Sequence, residues 1–476
     1  MNKSKNNRID LNNLINSLIK DEKIHKSSIP IILSDLGDSF FKQNYYESSL
    51  DIFNKALKLS YKYLKDNRNN IISKLLLKIG KVHQAKGEWD CAINFYQKSL
   101  DINKEIDDKY GTLQSLNNLG QIYQYKGEWD RATDLYQKYL DITNKIGDEQ
   151  GKAKAYNNLG MVYQNKGEWD RAIEFCQKSL EISEINKDTQ RMAATYNDLG
   201  MIYQDKGEWD RSLELFQKSL DISKKIGDYQ TMAQAFNNSG MIYQNKGEWD
   251  LAIELYHKSL EIKEKIGDTY GMAHTYNNIG LVYKAKGQLD RAIRYYQKSL
   301  SLKEKIGDEY GIAQTFNNLG LVYKAKGEFN RAIEFYEKSF ALKEKIGELH
   351  GMAQIYNNLG GVYQSKGGWD RAIEFYQKSL EIKEKIGDVH GMAQTFNNLG
   401  LVHKTRGEWN RAIEFYQKSV AIKEKIGDAH GMAQTFGNLS LLYFEQKKYA
   451  ESVRLMHEIF FLFTKLGAAA EVQQAG

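Results

Sequence analysis

The stretch GIAQTFNNLGLVYKAKGEFNRAIEFYEKSF, residues 311–340, decides the fold because the chain repeats it with little change every forty residues. The period is clearest in a glycine that recurs at Gly120, Gly160, Gly200, Gly240, Gly280, Gly320, Gly360 and Gly400. A fixed period of this length predicts a solenoid, in which each unit packs mainly on its two neighbours. We therefore expect the functional surface to be a long face and not one central pocket.

Composition agrees with a long helical chain. Length alone would predict about three globular domains, but the repeat overrides that expectation. The 476 residues contain one proline, Pro30, so long helices are not interrupted. The net charge of +6 is spread over mixed Lys and Glu, as in Glu-Ile-Lys-Glu-Lys-Ile at 381–386. This alternation predicts a solvated helix face, whereas nucleic-acid binding would need basic residues clustered on one side. We predict no nucleic-acid partner.

The two cysteines, Cys91 and Cys176, have no motif partner for a disulfide or a metal. Cys176 occupies a place where other copies carry tyrosine, which predicts a buried apolar role. We therefore expect a reducing compartment, no metal and no cofactor. The sequence contains neither an apolar signal core nor a run long enough to span a membrane. These features predict a cytoplasmic protein with no membrane partner.

Each repeat reads as two helices. In the first helix, Ile312, Phe316, Leu319 and Tyr323 follow a helical spacing and predict a buried stripe. Glycines such as Gly327 and Gly387 predict helix ends. The aspartates Asp308 and Asp388 predict the start of the next pair, and Asp170, Asp210 and their equivalents are expected to cap the second helices.

Small residues predict close approach of the paired helices. Gly320, Ala332 and Ser339 are small where the neighbouring positions of the stripe are large. We expect a bulky side chain at Gly320 to push the two helices apart and to cost a few kcal/mol through overpacking.

The pattern Phe316-x2-Leu319-Gly320-x2-Tyr323 followed by Ala332-x3-Tyr336 resembles the tetratricopeptide repeat (TPR). The resemblance implies an all-α fold, a right-handed α-solenoid superhelix of eleven antiparallel helix pairs over residues 30–465. The forty-residue unit, without the proline that usually ends the second helix, is similar to the repeats of LGN/Pins adaptors and of kinesin light chains. Peptide-sensing regulators of the Rap and NprR type have similar repeats.

The ends of the array differ from its middle. Residues 1–29 are expected to form a flexible start and an N-terminal capping helix over residues 9–20, and residues 466–476 to form a C-terminal tail. The apolar run Ile459 to Phe463 has two interpretations. It folds beneath the tail Leu466–Val472, or it is an exposed surface for docking or self-association.

A second stripe on the first helix carries the polar residues that the core does not use. Asparagine is an indifferent helix former, so local propensity does not explain its recurrence in mid-helix. Its carboxamide has a donor and an acceptor, which match one peptide unit of an extended ligand. By resemblance to other TPR arrays, this stripe lines the concave groove. An alternative is that the asparagines bond to neighbouring helices or to water. The predicted groove residues are the second asparagines Asn118, Asn158, Asn238, Asn278, Asn318, Asn358, Asn398 and Asn438, the first asparagines Asn277, Asn317, Asn357 and Asn397, and Gln314, Gln354, Gln394, Lys284, Lys324 and Lys404.

These patterns predict a non-enzymatic scaffold that binds an extended protein or peptide segment in the groove. Neither a nucleophile elbow nor a phosphate-binding glycine loop is present in the sequence. Gln124, Gln164, Gln204 and Gln244 give way to Lys284, Lys324 and Lys404, so the C-terminal repeats should prefer an acidic ligand. The main site is expected in repeats seven to ten. The alternatives are a peptide-sensing regulator and a self-associating structural solenoid.

Overall fold

The computed structural model of the protein describes residues 11–21, 24–43, 45–64 and 68–475, with the side chains at 11, 12, 463 and 465–475 not described. The expected flexible start lies mostly outside these residues. Over the described residues the chain forms twenty-three α-helices, one short 3₁₀ helix at Lys26–Ser28, and no strand.

The helices alternate along the chain, and successive helices are joined by short turns. Their bounds are α1 Leu11–Lys20, α2 Ile29–Lys42, α3 Tyr46–Tyr63, α4 Arg68–Ala85, α5 Trp89–Glu105, α6 Lys109–Tyr125, α7 Trp129–Ile146, α8 Glu149–Asn165, α9 Trp169–Ile185, α10 Thr189–Asp205, α11 Trp209–Ile226, α12 Tyr229–Asn245, α13 Trp249–Lys265, α14 Thr269–Ala285, α15 Leu289–Ile306, α16 Glu309–Ala325, α17 Phe329–Lys345, α18 Leu349–Ser365, α19 Trp369–Ile386, α20 Val389–Thr405, α21 Trp409–Lys425, α22 Ala429–Glu445 and α23 Tyr449–Ala475. After α1, the described helices form eleven antiparallel pairs from α2–α3 to α22–α23. The predicted all-α architecture of eleven repeats is therefore confirmed.

The chain divides into two compact units. Unit 1 contains residues 1–278 and 306–308, and unit 2 contains residues 279–305 and 309–476. Each unit is built from the same forty-residue helix pairs, so each has its own stack of first and second helices.

A glycine-aromatic contact sets the spacing of each pair. A Cβ atom added to Gly320 would lie 2.6 Å from the ring of Tyr336, which is fully buried. In unit 1, Gly240 faces Tyr256 in the same way at 2.9 Å. Since real Cβ atoms do not approach so closely, the first helix can lie against the second only where it has no side chain. This supports the predicted role of Gly320.

The helix ends follow the predicted signals in part. Gly387 ends α19 in the left-handed conformation (φ 71°), and Asp388 begins α20 by accepting the amide N–H of Gly391 at 2.8 Å. The predicted caps of the second helices are wrong. The cap position of α9 is Glu168, without a side-chain cap, and Asp170 lies inside the first turn of the helix.

The aspartates at these first turns link adjacent repeats. Asp170 accepts the amine of Lys206 at 3.1 Å, and Asp210 accepts that of Lys246 at 2.7 Å. Their sequence position, two residues into the helix, places the carboxylates beyond the reach of a cap and beside the next repeat.

One lysine of the mixed-charge segment is buried, which corrects the prediction of a fully solvated face. Lys383 is 5% exposed, and its amine donates to the carbonyl of Gly391 at 3.1 Å and to the hydroxyl of Thr395 at 2.8 Å. Burial lowers the pKa of Lys383. The equivalent lysines, which make the same two contacts in their own repeats, are Lys263, Lys303 and Lys423. The amine thus joins the second helix of one repeat to the first helix of the next.

The two ends of the array also differ from each other. Ile15, Leu18 and Ile19 of α1 pack against the core formed by Ile29 and Leu33, as a capping helix would. At the other end, α23 runs without a break from Tyr449 to Ala475. The tail therefore does not fold back over the apolar run, and Phe460 remains 72% exposed. No helix among the described residues is long and apolar enough to cross a membrane.

Candidate functional site

The predicted groove residues all lie on first helices, from Asn118 on α6 to Asn438 on α22. We call the asparagine-bearing side of these helices, within each unit, the first-helix face. Asn118, Asn277, Asn317, Asn318 and Asn397 are buried. The other asparagines and the three lysines are partly exposed, and Gln314, Gln354 and Gln394 are exposed.

The asparagines form a ladder between repeats. In unit 2 the amide of Asn358 donates to the carbonyl oxygen of Asn317 at 2.9 Å, and that of Asn398 donates to Asn357 at 3.1 Å. The same bond recurs from Asn438 to Asn397, and in unit 1 from Asn158 to Asn117, Asn238 to Asn197 and Asn278 to Asn237. This is the neighbour-bonding alternative that the sequence left open. The ladder uses one N–H of each second asparagine, and a carboxamide has two donors and an acceptor, so ligand contact by these residues stays a prediction.

Unit 1 has one departure from the ladder. Asp198 takes the place of a second asparagine and accepts the amide of Asn157 at 2.6 Å. Burial raises the pKa of Asp198 to about 6, against the opposing effect of hydrogen bonds from Asn157 and Asn197. A carboxyl group here therefore carries an electrostatic cost at neutral pH that an asparagine does not.

The glutamines of the first-helix face bond to the core tyrosines. The hydroxyl of Tyr136 donates to Gln124 at 2.8 Å, and that of Tyr376 donates to Gln364 at 2.9 Å. Where the first helix carries lysine, the tyrosine hydroxyl twelve residues later is buried without a hydrogen-bond partner among the described residues. These tyrosines are Tyr296, Tyr336 and Tyr416. An ammonium group cannot accept a hydrogen bond, so each lysine leaves a buried donor unpaired, at a cost of about 1–3 kcal/mol.

The three lysines have different surroundings. Lys404 pairs with Glu445 at 2.9 Å. The side-chain amines of Lys284 and Lys324 form no ion pair or hydrogen bond with a described residue, and burial lowers the pKa of both amines. Lys284 and Lys324 are therefore half-buried cations on this face whose amines have no counter-charge among the described residues.

Lys324 also lies beside an open cavity. Gly361 occupies a position where the repeats on either side carry Leu321 and Leu401. A Cβ atom added to Gly361 would lie 2.6 Å from Nζ of Lys324. Around these residues is a cavity of about 470 Å³, which we call the Gly361 hollow. Its lining also includes Asn357, Asn358, Gln364, Ser365, Trp369, Tyr376, Asn398 and Thr405.

The hollow is positively charged and rich in hydrogen-bond donors. No Asp or Glu is among the described residues that line it. A volume of this size lies in the range of small-ligand pockets, about 300–1,000 Å³. The sequence predicted Lys324, Asn357, Asn358 and Asn398 but missed Gly361 and Ser365. Gly361 could have been found as a departure from the repeat, since most other copies have leucine or methionine at the equivalent position.

A larger cavity of about 750 Å³ lies in unit 1 at the turns between repeats. Its two carboxylates already cap helices, because Asp228 accepts the amide of Thr231 and Asp268 that of Gly271. We therefore regard it as a consequence of turn geometry and the Gly361 hollow as the candidate site.

The tetratricopeptide repeat model matches residues 70–145, 151–225, 231–305, 271–345, 311–385, 351–425 and 391–459. The chain belongs to the tetratricopeptide repeat family. The match spans most of the sequence, which confirms the resemblance drawn from the repeat pattern. A search of curated proteins finds no significant match.

Several solved structures are similar to this TPR chain. The apo form of the quorum sensor NprR from B. thuringiensis is 18% identical, with a TM-score of 0.49, over 74% of this chain and 97% of NprR. A Rap protein in complex with Competence and Sporulation Factor is 15% identical, with a TM-score of 0.48, over 76% of this chain and 99% of that one. The kinesin light chain TPR-like repeats of Podosopora anserina are 17% identical, with a TM-score of 0.36, over 42% of this chain and 98% of theirs. At these identities the likeness concerns the fold alone.

Proposed function

We propose that this TPR protein is a non-enzymatic scaffold that binds an extended segment of a protein partner along the first-helix face. We propose further that the segment places an acidic side chain in the Gly361 hollow, beside Lys324. The observation that carries the proposal is an unpaired, half-buried amine facing a cavity lined by amide and hydroxyl groups.

The energetics of Lys324 support an anionic ligand. A cation taken partly out of water is unfavourable until it gains a partner, and the lowered pKa of this amine reflects that cost. A ligand carboxylate would supply the missing charge. A hydrogen bond to a charged group contributes about 1.5–3 kcal/mol, which corresponds to roughly 10- to 100-fold in affinity.

The repeat spacing supports an extended ligand. Packed helices lie about 8–10 Å apart, and an extended peptide advances about 3.3 Å per residue. Each repeat would therefore meet about every third ligand residue. Asn358 of the hollow's own repeat and Asn398 of the next repeat both line the hollow, and the second N–H of each amide can donate to the ligand backbone. Two cysteines without disulfide partners are compatible with a cytoplasmic location.

The test begins with selection of peptides from a random display library on the full chain. A selected peptide is then labelled, and its binding is measured by fluorescence anisotropy beside variants with Glu→Gln or Asp→Asn changes. We expect enrichment of acidic peptides, and a loss of roughly 10-fold or more when the contacting acid is neutralised.

Protein variants locate the contact. Lys324→Gln gives this repeat the residue of the glutamine-bearing copies, and Gly361→Leu gives it the residue of its neighbours. Lys324→Gln should weaken binding of the acidic peptide and leave binding of its neutral form unchanged, whereas Gly361→Leu should weaken binding of both because leucine fills the space. Lys404→Gln is the matched control, because that amine already pairs with Glu445. Equal effects of Lys324→Gln and Lys404→Gln, or selection of peptides without acids, would contradict the assignment of the hollow.

Self-association through α23 is a second candidate function. Val453, Met456 and Phe460 are each more than half exposed and follow a helical spacing along α23. An apolar stripe of this kind is a common feature of interaction surfaces. We expect Phe460→Ser to reduce any concentration-dependent rise in mass seen by light scattering. A wild-type chain that stays monomeric at all concentrations would exclude this candidate.

A further inference from the structure

A second charged site lies at the corner between the two helices in several repeats. In the third repeat, Glu128 precedes α7, and its Oε2 accepts Nη1 of Arg131 at 2.6 Å. The guanidinium of Arg131 lies over the ring of Tyr123 at 5.5 Å. The other carboxylate oxygen, Oε1, faces Lys126 at 3.6 Å. We call this arrangement the Tyr-Glu-Arg corner.

The same corner recurs, and again one carboxylate oxygen bonds the arginine and the other bonds the lysine. In unit 2, Arg331 bonds Oε2 of Glu328 at 2.8 Å and lies over Tyr323, and Lys326 bonds Oε1 at 3.0 Å. The Oε2 side of this glutamate is therefore a cation site in the fold, filled by the chain's own guanidinium.

The second repeat lacks that guanidinium. Cys91 stands in the position of the arginine and His83 in the position of the tyrosine. The lysine is retained, and Lys86 bonds Oε1 of Glu88 at 2.7 Å. Oε2 of Glu88 now faces Nδ1 of His83 at 2.5 Å. Ligand atoms of His83, Glu88 and Cys91 all lie within 4.8 Å of one another.

Two of these three side chains are held in place. The ring of His83 is stacked on Phe95, with 5.2 Å between centroids and 7° between planes. The amide of Glu88 donates to the carbonyl of His83 at 2.9 Å, which fixes the two residues relative to each other. Cys91 lies in the first turn of α5 and is exposed, so its thiol can turn toward the other two.

We propose that His83, Glu88 and Cys91 bind a Zn²⁺ ion through Nδ1, Oε2 and Sγ. The ion takes the place of the arginine that corners such as those of Arg131 and Arg331 contain. An imidazole, a carboxylate and a thiolate are ligands that Zn²⁺ accepts together, and the thiolate disfavours Mg²⁺ and Ca²⁺. The thiol releases its proton on binding. The fourth position is left for water or for a ligand from a partner.

The distances require only a local adjustment. Zinc bonds of about 2.0–2.3 Å in a tetrahedral site put ligand atoms roughly 3.3–3.8 Å apart. Nδ1 of His83 and Oε2 of Glu88, now 2.5 Å apart, need to separate by roughly 0.8 Å. The thiol of Cys91 needs to move inward by about an ångström, which is within reach of an exposed rotamer.

The tenth repeat provides an internal control. His403 also replaces the tyrosine and lies 2.7 Å from Oε2 of Glu408, but Arg411 is retained and bonds the same oxygen at 3.4 Å. This copy has the imidazole and the carboxylate but keeps its built-in cation. The two replacements together, and not the histidine alone, distinguish the second repeat.

The experiment uses Co²⁺ and Zn²⁺ with the full chain under a non-thiol reductant. We expect one equivalent of Co²⁺ to give the charge-transfer absorption of a cobalt thiolate, and Zn²⁺ to displace it. Surface histidines cannot give that band, and Cys176 is fully buried. A wild-type chain without the band would overturn the proposal.

Variants that give the second repeat the residues of the other repeats should keep the fold and remove the site. Cys91→Arg and His83→Tyr should each lower the Zn²⁺ affinity by more than about tenfold, since even changes outside the ligand set have effects of that size. Arg411→Cys should create a second cobalt-thiolate site with His403 and Glu408. Unchanged metal stoichiometry in Cys91→Arg would refute the assignment.

Discussion

Repeats with glutamine on the first-helix face differ from repeats with lysine there in how the buried tyrosine hydroxyl is paired. In the glutamine repeats, Tyr136, Tyr256 and Tyr376 donate their hydroxyls to Gln124, Gln244 and Gln364. In the lysine repeats, the same hydroxyl is buried and has no hydrogen-bond partner among the residues that the structure describes. The first arrangement satisfies the core, and the second leaves an amine available at the surface. This difference indicates that the lysine repeats are less stable than they would be with glutamine, because they place a cation on the first-helix face.

The hollow shows the same contrast between two adjacent glycines. Gly360 is a packing residue, since a Cβ atom there would lie 2.7 Å from the ring of buried Tyr376. For Gly361 the nearest atom is the flexible end of Lys324, with nothing else closer than 3.6 Å. One glycine is required by the helix pair, and the other only opens a space.

The largest expected effect comes from placing leucine at each of these glycines in turn. Gly360→Leu should cost about 3 kcal/mol or more, because the added side chain has no room against Tyr376. Gly361→Leu should be neutral or stabilise by up to about 1 kcal/mol, since leucine is the better helix former. The check is urea unfolding of both variants followed by circular dichroism. Each adds the same side chain, so similar losses at both positions would show that Gly361 is also a packing residue.

A second prediction concerns Asp198, where a carboxyl group replaces the amide that the other repeats have. Folded Asp198 has a pKa of about 6, above the ordinary value of 3.8. The folded chain therefore holds this proton to higher pH than the unfolded chain does, and the wild type loses stability as the pH rises from about 4 to about 6. Asp198→Asn removes that loss. The variant should be more stable than the wild type above about pH 6, by up to about 3 kcal/mol, and the difference should shrink toward pH 4.

The measurement is the difference in unfolding midpoint between the two proteins at several pH values, so that titration elsewhere cancels. The reciprocal change Asn238→Asp places a carboxyl group at the equivalent position of the next repeat and should reproduce the wild-type pH dependence there. A stability difference that does not vary with pH would contradict the assignment to Asp198.

Much of this could be read from the sequence, because a forty-residue period constrains each repeat to the same packing. The helix pairs, the contact of Gly320 with Tyr336 and the cap by Asp388 all depend on residues close in sequence or one repeat apart. Lys383 was misjudged because alternating Lys and Glu indicates solvent on average, while helix register decides which lysine turns inward.

The roles of the asparagines could not be settled from the pattern. A carboxamide that bonds a neighbouring repeat and one that bonds a ligand look alike in sequence, since both recur with the period. The ladder is identified only by the structure, for example by the 2.9 Å between the amide nitrogen of Asn358 and the carbonyl oxygen of Asn317. Departures from the period were more informative than the period itself, because Gly361, Cys91 and Asp198 each change the chemistry of one copy.

The smallest expected effect is the change in stability when each of the three lysines is replaced by glutamine. It tests whether the lysine serves the fold or the ligand. Lys324→Gln should give Tyr336 the acceptor that Gln364 gives Tyr376, and so raise the free energy of unfolding by about 1 kcal/mol. Lys284→Gln should gain as much through Tyr296. Lys404→Gln should gain little, because its new bond to Tyr416 is offset by loss of the ion pair with Glu445, which contributes up to about 1 kcal/mol. Denaturant unfolding of the three variants measures the order. If Lys324→Gln is less stable than the wild type, the lysine is serving the fold; if it is more stable and no longer selects an acidic peptide, the lysine is retained for the ligand.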